Sequence, residues 1–129
     1  MTTSNPKFLI VDDEPMVVEV VVRCVSPGAL NIRKAYDGEE AIAIAREFRP
    51  DCVITGVIMP GMSGFQEAIE ILKFLPTCKF VFMSGSAHEP TIRSEYEQFS
   101  ANASALLPKP FSRLELLNAL AAAGISPGC

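Results

Sequence analysis

Short apolar runs alternate with longer amphipathic segments along the whole chain, and this alternation limits the possible folds more than any other feature. Five short runs are predicted to be strands, at 7–12, 30–36, 51–56, 79–84 and 104–107, and the first has the apolar character of a buried strand. Five longer segments carry helix start or stop signals, at 14–26, 37–48, 63–75, 89–100 and 112–123. Strands that alternate with helices in this way predict an α/β fold: a doubly wound, parallel five-stranded sheet with helices on both faces.

Capping signals support the helical assignments. Three segments open with a capping-box pair, namely Asp37 with Glu40, Ser63 with Gln66, and Ser112 with Glu115. The segment 14–26 is ambiguous on propensity, because its six valines favour a strand. Pro15 at its start and Pro27-Gly28 after it favour a helix, and we predict one there.

Composition narrows the function classes. The 129 residues carry a formal net charge of −4, with 49% apolar and 20% charged residues, which is typical of one folded domain. The acidic balance, with no run of basic residues, disfavours nucleic-acid binding, and no apolar run is long enough to cross a membrane. No secretory signal precedes Asp13, and the four cysteines match no zinc or redox motif, so we expect a cytoplasmic protein. We predict a folded domain over 7–123, with flexible tails at 1–6 and 124–129.

The carboxyl ends of the predicted strands bring together a set of polar groups. They are Asp12-Asp13, Gly56-Val57-Ile58, Ser84-Gly85 and Lys109-Pro110. Adjacent carboxylates are costly to bury unless a cation neutralises them, and Mg²⁺ suits one or two carboxylates with a carbonyl and water. Together with a lysine and a hydroxyl, such carboxylates form a set suited to handling a phosphoryl group.

Five motifs, in order and with matching spacing over residues 7 to about 123, resemble a response-regulator receiver domain of two-component signalling. They are Val11-Asp12-Asp13-Glu14, Pro50-Asp51, Met59-Pro60-Gly61-Met62-Ser63-Gly64, Met83-Ser84-Gly85 and Lys109-Pro110-Phe111. The resemblance implies a flavodoxin-like (βα)5 fold with strand order 2-1-3-4-5. It also implies that a bacterial histidine kinase donates a phosphoryl group to an Asp at the end of the third strand.

Further site roles are implied by the same resemblance. Asp13 would ligate Mg²⁺ directly, Asp12 would do so largely through water, and the Ile58 carbonyl would be a third ligand. Ser84 and Lys109 would hold the phosphoryl oxygens. The Lys109-Pro110 peptide bond is expected to be cis.

One position departs from the family pattern in a way that affects chemistry. The acceptor Asp should stand three residues before Met59, where this chain has Gly56, which lacks a nucleophile. We expect none of the neighbouring side chains to substitute. Asp51 lies about 16 Å away along the strand, Thr55 faces the other side of the sheet, and Ser63 caps a helix.

A second departure concerns the last strand. Leu106 stands where many family members carry an aromatic side chain, and it has no polar group to act as a rotamer switch. Pro108 lacks an N–H and is best placed on an edge strand.

We therefore predict a stand-alone, non-enzymatic receiver protein that works as a phosphorylation-independent interaction module. Its partner would be a histidine kinase or another signalling protein that docks on the 89–123 face, and the protein would be a monomer or a weak dimer. Magnesium binding is possible but weakened, and Lys109 should pair with Asp12 or Asp13 in a metal-free pocket.

Two other functions compete with this prediction. The first is an ordinary phospho-accepting regulator, in which Gly56 has been introduced or another residue accepts the phosphoryl group. The second is a flavin enzyme on the same fold. Asp12-Asp13-Glu14 disfavours it, because these carboxylates would repel a phosphate after the first strand.

Overall fold

Five strands alternate with five helices in the part of the chain that the computed structural model describes, residues 6–26, 31–99, 102 and 104–125. The strands are β1 (Lys7–Val11), β2 (Asn31–Ala35), β3 (Cys52–Gly56), β4 (Lys79–Ser84) and β5 (Ala105–Pro108). The helices are α1 (Pro15–Val25), α2 (Gly38–Phe48), α3 (Gly64–Leu72), α4 (Pro90–Glu97) and α5 (Arg113–Ala122). The predicted order of elements is confirmed.

The strands form one parallel sheet with the order β2-β1-β3-β4-β5. This is the flavodoxin-like strand order that the family resemblance implied. The strand order changes direction between β1 and β3, so the connections leave these strands towards opposite faces and open a crevice at their carboxyl ends. Pro108 lies on the edge strand β5, opposite Ser84 of β4, where its missing N–H removes no central ladder bond.

The sheet separates two apolar clusters. One lies under α2, α3 and α4 and contains an aromatic group, Phe65, Phe80, Phe82 and Phe99, in which the Phe65 and Phe82 ring centroids are 4.8 Å apart. The other lies under α1 and α5 and contains Val18, Val21, Val25, Leu116 and Leu120. Burial on both faces explains why the central strands β1, β3 and β4 are nearly continuous apolar runs, whereas the edge strand β2 is polar and mostly exposed.

The valine-rich segment is a helix, as the proline and glycine signals predicted. Val18, Val21 and Val25 are fully buried, at a spacing that places them on one helical face, whereas Val20 is 54% exposed. Burial of this face against the sheet outweighs the strand propensity of valine.

Several element ends differ from the prediction. Helix α3 ends at Leu72, not at residue 75, because the next turn tightens: Lys73 and Phe74 donate to the carbonyls three residues back, those of Glu70 and Ile71. Helix α4 ends at Glu97, not at residue 100. Strand β5 runs from 105 to 108, one residue later than predicted. Leu30, the predicted first residue of β2, lies outside the described residues.

Two residues that flank the predicted domain of 7–123 pack against it. Pro6 is buried, and Ile125 is only 3% exposed and donates its N–H to the Leu120 carbonyl at 2.9 Å. Gly124 permits this return to the core with a φ of 80°. The rest of the predicted tails, 1–5 and 126–129, lies outside the described residues.

Candidate functional site

The carboxyl ends of β1, β3, β4 and β5 converge on one fully buried carboxylate, that of Asp12. Its Oδ1 accepts the Glu14 backbone N–H at 3.0 Å, and its Oδ2 accepts the Lys109 ammonium at 2.9 Å. Each oxygen of this carboxylate thus has a partner within the protein, which offsets the cost of burying its charge. Asp13, the next residue, is exposed.

Lys109 is held in place by its own backbone as well as by its ion pair. Its N–H donates to the Ser84 carbonyl at 2.9 Å, and the Lys109-Pro110 peptide bond is cis, as the resemblance implied. The ammonium also lies 3.9 Å from Glu14 Oε1. The predicted pairing of Lys109 with one of the two aspartates is observed, and the partner is Asp12.

Ser84 lies beside this ion pair at the end of β4, with 2% of its surface exposed. Its hydroxyl oxygen accepts the Ser86 backbone N–H at 2.9 Å, which leaves the hydroxyl hydrogen available to an oxygen in the crevice. The fold thus brings together three of the predicted site residues: Asp12, Ser84 and Lys109.

Gly56 ends β3 directly against this pair. A Cβ built on Gly56 would lie 2.8 Å from Asp12 Oδ2 and 3.7 Å from Met59 Cγ. The Asp12 carboxylate therefore occupies the space that any side chain at position 56 would need first. An aspartate at this position would force the Asp12 carboxylate to move, and with it the bond to Lys109.

The other acidic and hydroxyl side chains near β3 either bond to other groups or lie away from the Asp12 site. Asp51 lies at the opposite end of β3, where Oδ2 accepts the Lys7 N–H at 2.8 Å. Thr55 is buried and bonds to Glu67, and Ser63 caps α3 by accepting the Gln66 N–H. Ile58, the predicted carbonyl ligand, is 62% exposed in the loop after β3.

The donor set for a divalent cation is only partly suitable. Carboxylate oxygens of Asp12, Asp13 and Glu14 lie within 4.8 Å of one another, which is the kind of cluster that Mg²⁺ uses. The Lys109 ammonium, however, contacts Asp12 and lies close to Glu14. A divalent cation at this cluster would have to compete with the ammonium.

A buried glutamate in α3 was missed in the sequence. Glu67 has no exposed surface, and its Oε2 has no hydrogen-bond partner among the described residues. Burial raises the pKa of its carboxyl well above the ordinary value, although the hydrogen bond with Thr55 opposes this shift. A signal was present, since helical spacing places residue 67 on the same face as the core residues Gly64 and Ile71.

Thr55 connects Glu67 to the end of β3. The Thr55 Oγ1 lies 2.9 Å from Glu67 Oε1 and 3.1 Å from the Gly56 carbonyl oxygen. One hydroxyl proton cannot serve both acceptors. The Thr55 hydroxyl therefore donates to one acceptor at a time, and it links the buried Glu67 carboxyl to the backbone beside Gly56.

The 89–123 face consists of α4, the edge strand β5 and α5. Helix α4 has no buried residue, and Leu114 of α5 is 66% exposed. The Tyr96 hydroxyl donates to the Ser104 carbonyl at 2.7 Å, and Leu106 is half-buried against the aromatic cluster. Next to this face, a groove between α1 and the Lys109–Phe111 segment is lined by the exposed side chains of Met16 and Val20.

Comparison with known proteins gives a consistent family match. Residues 8–121 match the family described as the response regulator receiver domain. The transcriptional regulatory protein YvrH of Bacillus subtilis is 32% identical over 113 residues, which cover 87% of this chain and 46% of YvrH. A protein-glutamate methylesterase/protein-glutamine glutaminase of Nitrosospira multiformis is 34% identical over 104 residues, which cover 79% of this chain and 29% of that protein. The chain thus spans less than half the length of these curated relatives.

Solved structures show the same fold. The chemotaxis protein CheY4 of Vibrio cholerae superposes with a TM-score of 0.81 at 27% identity, covering 92% of this chain and 98% of that chain. A two-component transcriptional regulator from Clostridium phytofermentans gives a TM-score of 0.76 at 32% identity, covering 92% and 90% of the two chains. Among the described residues, no helix has the length and apolar character needed to cross a membrane.

Proposed function

Because this chain belongs to the response regulator receiver domain family, we propose that it is a receiver module of two-component signalling that acts through protein contacts without accepting a phosphoryl group. Receiver domains interact with histidine kinases and other signalling proteins, and they are not themselves enzymes as a rule. The cytoplasm is the expected location for such a module. The distinctive part of the proposal is the loss of acceptor chemistry.

The observation that carries this proposal is the contact between Gly56 and Asp12. A phosphoryl acceptor needs a carboxylate at the end of β3, and at that place the chain has no side chain. The space is filled by the Asp12 carboxylate, which is fully buried and paired with Lys109. The site is thereby charge-compensated from within, by a lysine in the place of an external cation.

Magnesium binding should be weak for the same reason. The proposed ligands are Asp12, Asp13 and the Ile58 carbonyl, and the cluster also includes Glu14. Binding would require Asp12 to give up the ammonium of Lys109, and the third carboxylate at position 56 is absent. Lys109 and Ser84 remain at the positions that would contact phosphoryl oxygens, and we assign them a structural role here.

Partner binding is assigned to the 89–123 face. Its exposed Leu114 and the solvent-facing helix α4 offer contact area that the fold does not use. The groove lined by Met16 and Val20 extends this apolar area to α1. We propose that a histidine kinase or another signalling protein covers this surface, that nucleic acid does not bind there, and that the protein is a monomer or a weak dimer.

The proposal is tested by amide NMR spectra recorded with and without Mg²⁺ plus beryllofluoride, a phosphoryl mimic that binds to an acceptor carboxylate. We expect no new resonances for residues 84, 106 and 109, because position 56 offers no carboxylate. Gly56→Asp serves as the comparison, and a response in this variant alone supports the proposal. A second, slowly exchanging set of resonances in the unmodified chain would refute it.

A further inference from the structure

Five of the 11 basic side chains gather at the amino end of the sheet, opposite the Asp12 site, although they are dispersed in the sequence. Lys7, Arg49 and Lys79 line one cleft of about 490 Å³ together with Asp51. Close to this cleft, Arg33 lies 4.9 Å from the centre of the Phe48 ring, and Arg46 lies 4.5 Å from the centre of the Phe74 ring. We name these five residues the basic edge.

The charge of the basic edge is largely uncompensated. Within the described residues, none of its five cations lies within 4.0 Å of a carboxylate oxygen. The acids at this end are Asp51, which accepts the Lys7 backbone N–H, and Glu47. The edge thus carries about +3, on a chain whose net charge is −4.

Part of this charge has a structural role. The carboxyl ends of helices meet at this end of the sheet, and the Lys7 ammonium donates to the Phe48 carbonyl at the end of α2. Arg33 and Arg46 lie over aromatic rings, which are weakly attractive to cations. Arg49 and Lys79 have neither kind of contact in the described structure, and they are the side chains that a ligand could engage.

The backbone at Arg49 indicates independently that its side chain serves the cleft and not the fold. It is the C-cap of α2 and has a left-handed backbone, with a φ of 52°. Glycine or asparagine adopts this conformation at lower cost than a long side chain. The helix end therefore gains nothing from the arginine side chain, which lines the cleft.

From these observations we infer that the basic edge is a second interaction surface, which binds an acidic segment of a partner protein. Carboxylate side chains complement the guanidinium of Arg49, which can donate two parallel hydrogen bonds, and the ammonium of Lys79. A protein segment fits better than a nucleic acid, because one or two carboxylates can pair with Arg49 and Lys79 alone. A phosphate backbone needs a longer positive stripe, and here Asp51 and Glu47 interrupt the positive area. This surface lies at the opposite end of the sheet from the Asp12 site, so the inference does not depend on the loss of phosphoryl chemistry.

The test uses a fluorescein-labelled hexaglutamate peptide and the full chain, with binding followed by fluorescence anisotropy at low salt. The key variant is Arg49→Gly with Lys79→Gln, which removes two charges and relieves the left-handed strain at residue 49. The matched control is Arg23→Gln with Lys34→Gln, which removes two exposed charges from α1 and β2, outside both proposed surfaces. We expect the key variant to lose at least tenfold in affinity and the control to lose about twofold.

Several outcomes would overturn the inference. Equal losses of peptide affinity in the two double variants would mean that binding depends on net charge and not on the basic edge. No measurable binding of the peptide to the parent chain would exclude the basic edge as a binding surface. Tighter binding of a single-stranded oligonucleotide, with the same sensitivity to Arg49 and Lys79, would assign the edge to nucleic acid. Circular dichroism melting of each variant separates lost binding from lost folding, and a key variant that melts like the parent but binds poorly supports the inference.

Discussion

Replacing Lys109 by alanine tests how far the Asp12 site depends on its internal ion pair. The Asp12 carboxylate has no exposed surface, and the lysine side chain is 25% exposed. Without the lysine, Asp12 Oδ2 loses its 2.9 Å hydrogen bond while Oδ1 keeps its bond to Glu14 N–H. The variant thus leaves a buried charge half-satisfied, which costs more than the loss of an exposed pair.

The expected loss in the free energy of unfolding can be estimated from these contacts. A hydrogen bond to a charged group contributes about 1.5–3 kcal/mol, and breaking a buried ion pair costs more, whereas the partial exposure of Lys109 lets water replace some of the interaction. We expect the free energy of unfolding to fall by about 1–3 kcal/mol near neutral pH. With a urea dependence of about 2 kcal/mol per molar, the midpoint of urea unfolding should fall by about 0.5–1.5 M.

Lys34→Ala is the matched control. Lys34 pairs with Glu19 at 2.8 Å, at a similar distance to the Lys109 pair, but both side chains are about half exposed. Exposed pairs contribute little, so its urea midpoint should stay close to that of the parent. An unchanged midpoint for Lys109→Ala, or equal losses in the two variants, would refute the internal ion pair as a source of stability.

Three further substitutions address the neighbouring groups. Glu67→Gln should stabilise the protein more at pH 8 than at pH 5. Burial raises the pKa of Glu67, so the parent loses stability as pH rises above the carboxyl's unfolded pKa of about 4.3, whereas the variant does not. An equal difference in urea midpoint between variant and parent at the two pH values would contradict this. Gly64→Ala should cost roughly 1–3 kcal/mol in urea unfolding, since its Cβ would clash with the Gly56 carbonyl oxygen, and a midpoint equal to the parent's would show that the loop after β3 yields freely. Gly56→Asp should bind Mg²⁺ more tightly than the parent by about 1–2 kcal/mol in calorimetric titration, and equal affinities would show that the missing carboxylate is not what limits binding.

The sequence predicted the fold well because its signals are local and repeated. Continuous apolar runs identified the central strands, and the capping pairs at Asp37, Ser63 and Ser112 fixed the starts of three helices. The ends of elements were less predictable. Whether residues 73–75 continue α3, and whether residues 124–125 join the folded unit, depends on packing, as the burial of Ile125 against the core shows.

The sequence predicted which residues form the site but not how their side chains contact one another. Parallel strands must bring their carboxyl ends together, so the convergence of Asp12, Ser84 and Lys109 follows from topology alone. The sequence could not show that Asp12 rather than Asp13 pairs with Lys109, because that choice depends on how the backbone turns after β1 ends at Val11. Nor could it show that the Asp12 carboxylate fills the space beside Gly56.

The sequence did not predict which side chains from distant segments lie together in the fold. The absence of any run of basic residues predicted no basic footprint, yet the fold brings Lys7, Arg49 and Lys79 to one cleft from three separate segments. Glu67 was overlooked because a glutamate in a helix is ordinarily exposed, although helical spacing places it on the core face of α3.

The central claim is that this receiver accepts no phosphoryl group, and intact mass spectrometry after incubation with acetyl phosphate and Mg²⁺ tests it most directly. The account predicts no stable adduct of about 80 Da on the chain, because Gly56 offers no nucleophile and the Asp12 carboxylate is buried against Lys109. Gly56→Asp, treated in parallel, shows whether an acceptor placed at the end of β3 is phosphorylated under the same conditions. An adduct on the unmodified chain that maps to Asp12, Asp13 or any other aspartate would contradict the account.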